Sequence, residues 1–265
     1  MVDDSLLSRR AVLAGGLAVL AGASGLSACQ APAEGGRAPV QEGRLTTKYW
    51  SGYQPRWLLV RPEGATATVV ALHGAGGDAG SWFEPPRAQA VAQQLGIAVA
   101  AVDGGHSYWH ARADGSDTGT MVLEDLLPTL EREGAPVDQV GLTGFSMGGY
   151  GALLLATRLP PERVLGVAAV SAALFFTEEE AAVGAFDGAD DFARHDIFDR
   201  VEALRELPVW LACGGDDTFA VTNRALAQRL PDAVTEFDAG GHDQTYLEAH
   251  WQRGMAFLAD QLPAR

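Results

Sequence analysis

The sequence predicts an α/β fold, a mostly parallel central sheet with helices on both faces. Three observations carry this expectation. From Leu45 onward, short apolar runs alternate with stretches of helical apolar spacing. The later runs are continuously apolar, as strands buried on both faces should be. No internal repeat and no Pro/Ser-rich linker interrupts the region, so residues 44–265 read as one domain.

Taken in order, the expected strands are Leu45–Trp50, Arg56–Arg61, Thr66–Leu72, Ile97–Val102, Gln139–Gly144, Val164–Val170, Pro208–Cys213 and Val234–Phe237. Each is bounded by turn-forming residues and is short enough for a sheet. The expected helices are Pro86–Leu95, Met121–Glu133, Met147–Leu159, Ile197–Leu204, Asn223–Leu230 and Gln244–Leu262. Phe175–Arg200 is acidic and less regular, and reads either as a small insertion beside a site or as surface.

Composition narrows the function. With 47% hydrophobic and 20% charged residues, the chain has material for a core and is not disordered as a whole. Nineteen basic residues against 34 acidic ones give a net charge of −15, which excludes the usual electrostatics of a nucleic-acid binder. Two cysteines, Cys29 and Cys213, cannot build a cysteine zinc cage. Their contexts differ so much that no disulfide is expected. Cys213 ends the apolar run Val209–Cys213 and reads as a buried thiol.

Cys29 belongs to the N-terminal address. Arg9-Arg10 precedes an uncharged stretch rich in Ala, Gly, Val and Leu that reaches Leu26, a pattern that resembles a twin-arginine export signal. It ends at Leu26-Ser27-Ala28-Cys29, which resembles the bacterial lipobox, where the cysteine becomes the acylated first residue. Residues 1–28 are therefore expected to be a signal peptide and Cys29 the lipidation site, anchoring the protein to the outer face of the cell membrane. A plain exported protein and an uncleaved anchor are the alternatives. Residues 29–43, rich in Ala, Pro, Gly and Glu, read as a flexible tether.

The chemistry is concentrated at three strand ends. Gly144-Phe145-Ser146-Met147-Gly148 matches G-x-S-x-G between an expected strand and an expected helix. That context is what the motif requires: a sharp strand-to-helix turn exposes the serine hydroxyl, and glycines leave room for the turn. The Met147 amide, at the helix start, would donate to a developing oxyanion. A serine needs a base, and the base needs an orienting acid. The run ending at Cys213 leads into Gly214-Gly215-Asp216-Asp217, and the run near Phe237 leads into Asp238-Ala239-Gly240-Gly241-His242. Ser146, an aspartate and His242 thus follow in the order Ser, acid, His, each after a strand. The residues alone leave Asp216 and Asp217 open, with Asp243 a weaker substitute.

With these motifs, the stretch from Thr68 to the C-terminus resembles the serine-esterase branch of the α/β-hydrolases. That branch contains feruloyl and acetylxylan esterases, S-formylglutathione hydrolases and mycolyltransferases. The resemblance implies an α/β-hydrolase fold and an acid in the pattern C-G-x-x-D, which falls on Asp217. It also implies that the loop His73-Gly74-Ala75-Gly76-Gly77 supplies the second oxyanion donor, the Ala75 amide. His73 itself reads as a structural hydrogen-bonding residue. An aromatic-rich segment after the Ile97 strand borders the active site in this branch, which makes Trp82, Tyr108 and Trp109 candidate walls of the substrate pocket, with core packing the alternative.

His106 and His110 are four apart, a spacing that binds metal on a helix, but the Gly and aromatic residues around them are not helical, and no metal site is expected. The expected activity is hydrolysis of carboxylic esters, small or polymer-borne, through an acyl-enzyme and without a cofactor. Acyl transfer to a sugar or lipid alcohol, peptide cleavage, and a non-catalytic surface-binding module are the competing readings.

Overall fold

The computed structural model describes residues 38–85 and 87–263. The expected signal peptide, Cys29 and the first part of the tether lie outside them. Eight strands form one sheet: β1 (Val40–Arg44), β2 (Arg56–Val60), β3 (Thr68–Leu72), β4 (Ala98–Val102), β5 (Val140–Phe145), β6 (Val164–Val170), β7 (Val209–Ala212) and β8 (Val234–Glu236). Their order is β1-β2-β4-β3-β5-β6-β7-β8. β1 and β2 pair antiparallel, as do β2 and β4, and every other pair is parallel. This is the α/β-hydrolase arrangement that the sequence implies.

The helices are α1 (Arg87–Leu95), α2 (Thr118–Met121), α3 (Leu127–Arg132), α4 (Met147–Ala156), α5 (Ala189–His195), α6 (Val201–Arg205), α7 (Ala220–Arg229) and α8 (Gln244–Asp260). Strand side chains alternate between two cores. Val69, Ala71, Val99, Ala101 and Trp210 pack with α1 and α8 on one face. Val70, Leu72, Ala100, Leu142 and Leu211 pack with α3, α4, α6 and α7 on the other. Because α4 lies wholly inside that second core, all ten of its residues are buried, and its apolar character runs round the whole helix.

The sequence expectation fails at the N-terminal edge. Leu45–Trp50 forms no strand, and the first strand is β1, whose Val40–Gly43 was assigned to the tether. β1 is an edge strand with an exposed face, so it lacks the apolar signature of the buried strands. Gly43 sits opposite Trp57 in the ladder, and a Cβ there would lie 2.6 Å from the indole. The globular domain therefore begins before residue 44. Two helical readings also shift. The run expected from Met121 starts at Thr118, where Asp117 Oδ1 accepts the Thr120 amide at 2.8 Å, and it passes through a π-helical turn, Val122–Leu126, before α3. Helix α5 was not expected at all.

That helix belongs to the acidic segment between β6 and β7, which is an ordered insertion. Asp187 takes two hydrogen bonds from Arg112, at 3.0 and 2.9 Å, and one from the Ala113 amide at 2.7 Å. Phe186 packs against Tyr108 and Tyr150. The hydrogen bonds from Arg112 and the Ala113 amide hold the Asp187 carboxyl at about 2, below its ordinary 3.8. A depressed folded value means this anchor contributes fully above the unfolded value and is lost as pH falls through the folded one. We expect the melting-temperature gap between wild type and Asp187→Asn to be constant above pH 4 and to close between pH 4 and about 2. A gap that stays the same across that window, in thermal melts by circular dichroism, would refute the anchor.

Candidate active site

The C-terminal ends of the six parallel strands, β3 to β8, lie along one edge of the sheet, and the loops that follow them leave from there. β3 and β5 are neighbours at the centre, where connections diverge to either side, the usual place for a site in such a sheet. β5 ends at Phe145 and α4 starts at Met147, leaving Ser146 alone in the turn with φ 57° and ψ −121°. Such a backbone is strained for a residue with a Cβ and persists only when its surroundings impose it. The flanking glycines show how. A Cβ on Gly148 would lie 2.0 Å from the Leu72 carbonyl oxygen, and one on Gly144 would lie 2.2 Å from the Gly148 backbone. Strand β3, strand β5 and helix α4 meet there backbone to backbone, and only glycine allows it.

Three side chains then form an unbroken hydrogen-bonded row. Ser146 Oγ lies 2.9 Å from His242 Nε2, and His242 Nδ1 lies 2.9 Å from Asp217 Oδ2. Since Nδ1 faces a carboxylate it carries the proton, which leaves Nε2 free to accept from the serine. The Asp217 side chain is fully buried, while His242 stays 27% exposed and so remains open to a substrate. Burial opposes the Asp217 carboxylate, but the bonds from His242 and the Phe219 amide outweigh it and hold the carboxyl below its ordinary range. Asp216 is exposed and spends its amide on the Gly240 carbonyl, and Asp243 caps α8 through the Tyr246 amide. Among the described residues, Asp217 is the carboxylate hydrogen-bonded to His242.

The loops that carry Asp217 and His242 are clipped together. The Gly215 amide donates to the Asp238 carbonyl at 2.7 Å, and the Asp216 amide to the Gly240 carbonyl at 2.9 Å. Asp238 is gripped in turn from α8, by Tyr246 Oη at 2.9 Å and His250 Nε2 at 3.1 Å. The imidazole of His242 is bracketed by the rings of Phe145 at 4.7 Å and Phe219 at 5.1 Å. Position, tautomer and ring plane of His242 are all determined by neighbours.

A cleft of about 420 Å³ opens onto Ser146 and His242. The loop His73–Gly77 forms one side, with Ala75 exposed on it, and Trp82, Phe145 and Leu247 give apolar walls. Met147 is the first residue of α4, so its amide is among those a helix leaves without an internal acceptor. His73 is buried, accepts the Gly104 amide at Nε2 and sits 2.8 Å from the Gly74 carbonyl at Nδ1. With both nitrogens used, and with burial lowering its pKa, it fixes the loop as a neutral ring.

Two of the expected pocket walls are elsewhere. Trp109 is fully buried, and Tyr108 packs among Tyr150, Phe175 and Phe186; neither lines the cleft. Gly104, Gly119 and Gly151 enclose the Trp109 indole and backbone so closely that a Cβ on any of them would come within 2.1–2.3 Å. Both residues are therefore core. Conversely, Phe145, Ser81, Gln244 and Leu247 line the cleft without having been singled out. Phe145 was signalled, as the variable residue of G-x-S-x-G; Gln244 and Leu247 depend on how α8 packs, and Ser81 comes with the short 3-10 turn that carries Trp82. Cys213 is buried as expected, and burial pushes its thiol up to about 12, which makes it inert.

Residues 53–259 match the sequence profile of a family described as "Putative esterase". The chain belongs to this esterase family. No curated protein matches it significantly in sequence. Among solved structures, this esterase is similar to a ferulic acid esterase, with 19% identity and a TM-score of 0.71, covering 85% of this chain and 99% of that one. It is similar to the fluorophosphonate-binding serine hydrolase FphF of Staphylococcus aureus, at 18% identity and TM-score 0.70, over 84% of this esterase and 99% of FphF. An S-formylglutathione hydrolase of the same organism gives 17% identity and 0.69, again over 84% and 99%. At these identities the likeness establishes the fold, and the family match establishes a carboxylic ester hydrolase.

Proposed function

We propose that this esterase is an exported serine hydrolase that cleaves carboxylic esters through a Ser146–His242–Asp217 triad. The observation that carries the reading is the row of two 2.9 Å hydrogen bonds ending on a serine in a strained turn. Ser146 Oγ attacks the ester carbonyl while His242 Nε2 takes its proton. The charge that develops on the carbonyl oxygen is met by the Ala75 and Met147 amides, and losing one such donor costs about 3–4 kcal/mol of transition-state stabilisation. His242 then returns the proton to the departing alcohol, and Asp217 stabilises the imidazolium in between. Water, deprotonated by the same imidazole, releases the acid from the acyl-enzyme. The apolar walls Trp82, Phe145 and Leu247 suit an acyl or alcohol group with apolar surface.

The test is a panel of esters varying in acyl length and aromatic character, run with matched amides and with and without an alcohol acceptor. We expect esters to exceed amides by orders of magnitude and free acid to dominate the products. Product appearing mainly on the acceptor would make the chain an acyltransferase; failure of a fluorophosphonate to label Ser146 in folded protein would make it a binding module.

Export and anchoring through Cys29 rest on the sequence pattern Leu26-Ser27-Ala28-Cys29. Among the described residues, no helix is long and apolar enough to cross a membrane. Cys29→Ala is expected to move the protein from the membrane fraction to the soluble exported fraction in a bacterial host and to abolish labelling by a fatty-acid probe. Unchanged fractionation would refute the lipid anchor.

A further inference from the structure

His242 rides on the loop 237–243 between β8 and α8, and side chains outside the triad hold that loop on both flanks of the histidine. Tyr246, on the first turn of α8, is the centre of this group. On one flank its amide donates to Asp243 Oδ1 at 2.9 Å. On the other its hydroxyl donates to Asp238 Oδ1 at 2.9 Å. Its ring also lies so close to Gly240 that a Cβ there would come 2.3 Å from Cδ2, and Gly240 holds a φ of 150°. Only glycine allows that approach. One buried tyrosine thus grips Asp238, Gly240 and Asp243, with the base between them.

His250 completes the arrangement one turn further along α8. It is buried, its ring stacks on that of Tyr246 with centroids 3.9 Å apart, and its Nδ1 lies 2.9 Å from the Tyr246 carbonyl oxygen. Its Nε2 lies 3.1 Å from Asp238 Oδ2, so the two carboxylate oxygens of Asp238 are divided between Tyr246 and His250. The same loop reaches the acid through its backbone. The Asp238 and Gly240 carbonyls accept the amides of Gly215 and Asp216, and a Cβ on Gly214 would lie 2.1 Å from the Gly240 carbonyl oxygen. A shift at Asp238 or Gly240 is therefore felt on both sides of the His242–Asp217 bond. Neither Tyr246 nor His250 lines the catalytic cleft, so neither is placed to touch a substrate.

We propose that Tyr246, His250 and Asp238 are positioning residues for the triad: by holding the Asp238 carboxylate they set how far His242 reaches toward Ser146. The inference rests on the triad proposed above and deepens it, assigning part of the turnover rate to side chains that never meet the ester. The rings of Phe145 and Phe219 restrain the face and edge of the imidazole. Its advance toward the serine is governed by the backbone that carries it, and that backbone is anchored at Asp238 and Gly240. Both 2.9 Å bonds of the row must hold while the proton passes. A misplacement of about 1 Å in such a row costs on the order of 100-fold in rate.

The experiment compares Asp238→Ala, Tyr246→Phe, His250→Gln and the double variant Asp238→Ala/His250→Gln in the full chain. The readings are steady-state hydrolysis of p-nitrophenyl acetate and the rate at which a fluorophosphonate captures Ser146, with kcat counted per captured serine so that unfolded protein drops out. Asp238→Ala should lower kcat by about 10–100-fold, leave KM within about twofold, and slow capture in proportion. Tyr246→Phe and His250→Gln should lose less, and the double variant should be no slower than Asp238→Ala, because both act through one carboxylate. The Asp238 side chain is 52% exposed, so its variant is the one least prone to misfold and decides the question. Arg253→Gln, on the same helix but paired with Glu236, should match the wild type throughout. A merely structural role would lower the melting temperature and leave kcat per captured serine unchanged. An Asp238→Ala kcat within about twofold of a normally captured wild type would overturn the positioning role and leave the triad standing. Losses that multiply in the double variant would overturn the shared anchor. A wild type that hydrolyses the ester without being captured at Ser146 would bring down the triad, and the positioning role with it.

Discussion

Ser146→Ala should lower kcat for ester hydrolysis by about 10⁴–10⁶-fold while leaving the fold and KM nearly unchanged. In the proposed mechanism the serine contributes the bond-forming oxygen and nothing to packing, because its side chain points from the turn toward His242. What remains is the cleft and its two amides, which bind and polarise the ester without attacking it. Asp217→Asn should cost about 10⁴-fold by a different route. An amide at that position can donate toward His242 Nδ1, favouring the tautomer that places the proton on Nε2 and closes the path for the serine proton. Fluorophosphonate labelling separates the two: Ser146→Ala abolishes it outright, whereas Asp217→Asn slows it. Retention of more than a tenth of wild-type kcat in Ser146→Ala, with circular dichroism and melting unchanged, would remove the covalent mechanism altogether.

Trp109→Ala is the substitution expected to cost most in stability, about 3–5 kcal/mol. The residue is fully buried: Gly104 and Gly151 press on its indole and Gly119 on its backbone carbonyl, with His73 at the ring's edge 5.0 Å away. Glycines leave no side chain that can lean in to fill the space, so the cavity persists and the full penalty is felt. Trp82→Ala removes an equally large ring but should cost less, since one side of Trp82 borders the open cleft and water can enter. The check is equilibrium urea unfolding of both variants. A Trp109→Ala loss below about 1 kcal/mol, or a larger loss for Trp82→Ala, would show that the slot collapses.

The parts legible in the sequence were those governed by local rules. Continuous apolar runs announced β3 to β7 because burial on both faces leaves no polar positions. G-x-S-x-G announced the turn because the steric demand falls on residues adjacent in the chain. Asp217 and His242 were legible as strand-end residues in a recognised order, although the choice between Asp216 and Asp217 needed a family pattern. What escaped depended on partners distant in sequence. β1 reads as polar because only one neighbour covers it. Tyr108 and Trp109 read as pocket walls because nothing near them in the chain says that Gly151 will close over the indole and Gly119 over the Trp109 backbone. Helix α5 was invisible because, with its short and strongly acidic start, it offers no apolar stripe.

The contact between Gly148 and the Leu72 carbonyl also has a kinetic meaning. β3 and β5 are far apart in sequence, and the turn at Ser146 is held in its unfavourable conformation only after they have paired and α4 has settled across their ends. No fragment of the chain, and no partly assembled intermediate lacking the β3–β5 ladder, can present a reactive serine. The Ser146 turn is therefore expected to be among the last features to mature during refolding. Time-resolved capture of Ser146 by a fluorophosphonate would therefore report completion of the whole central sheet, and it should lag behind the recovery of helical circular dichroism.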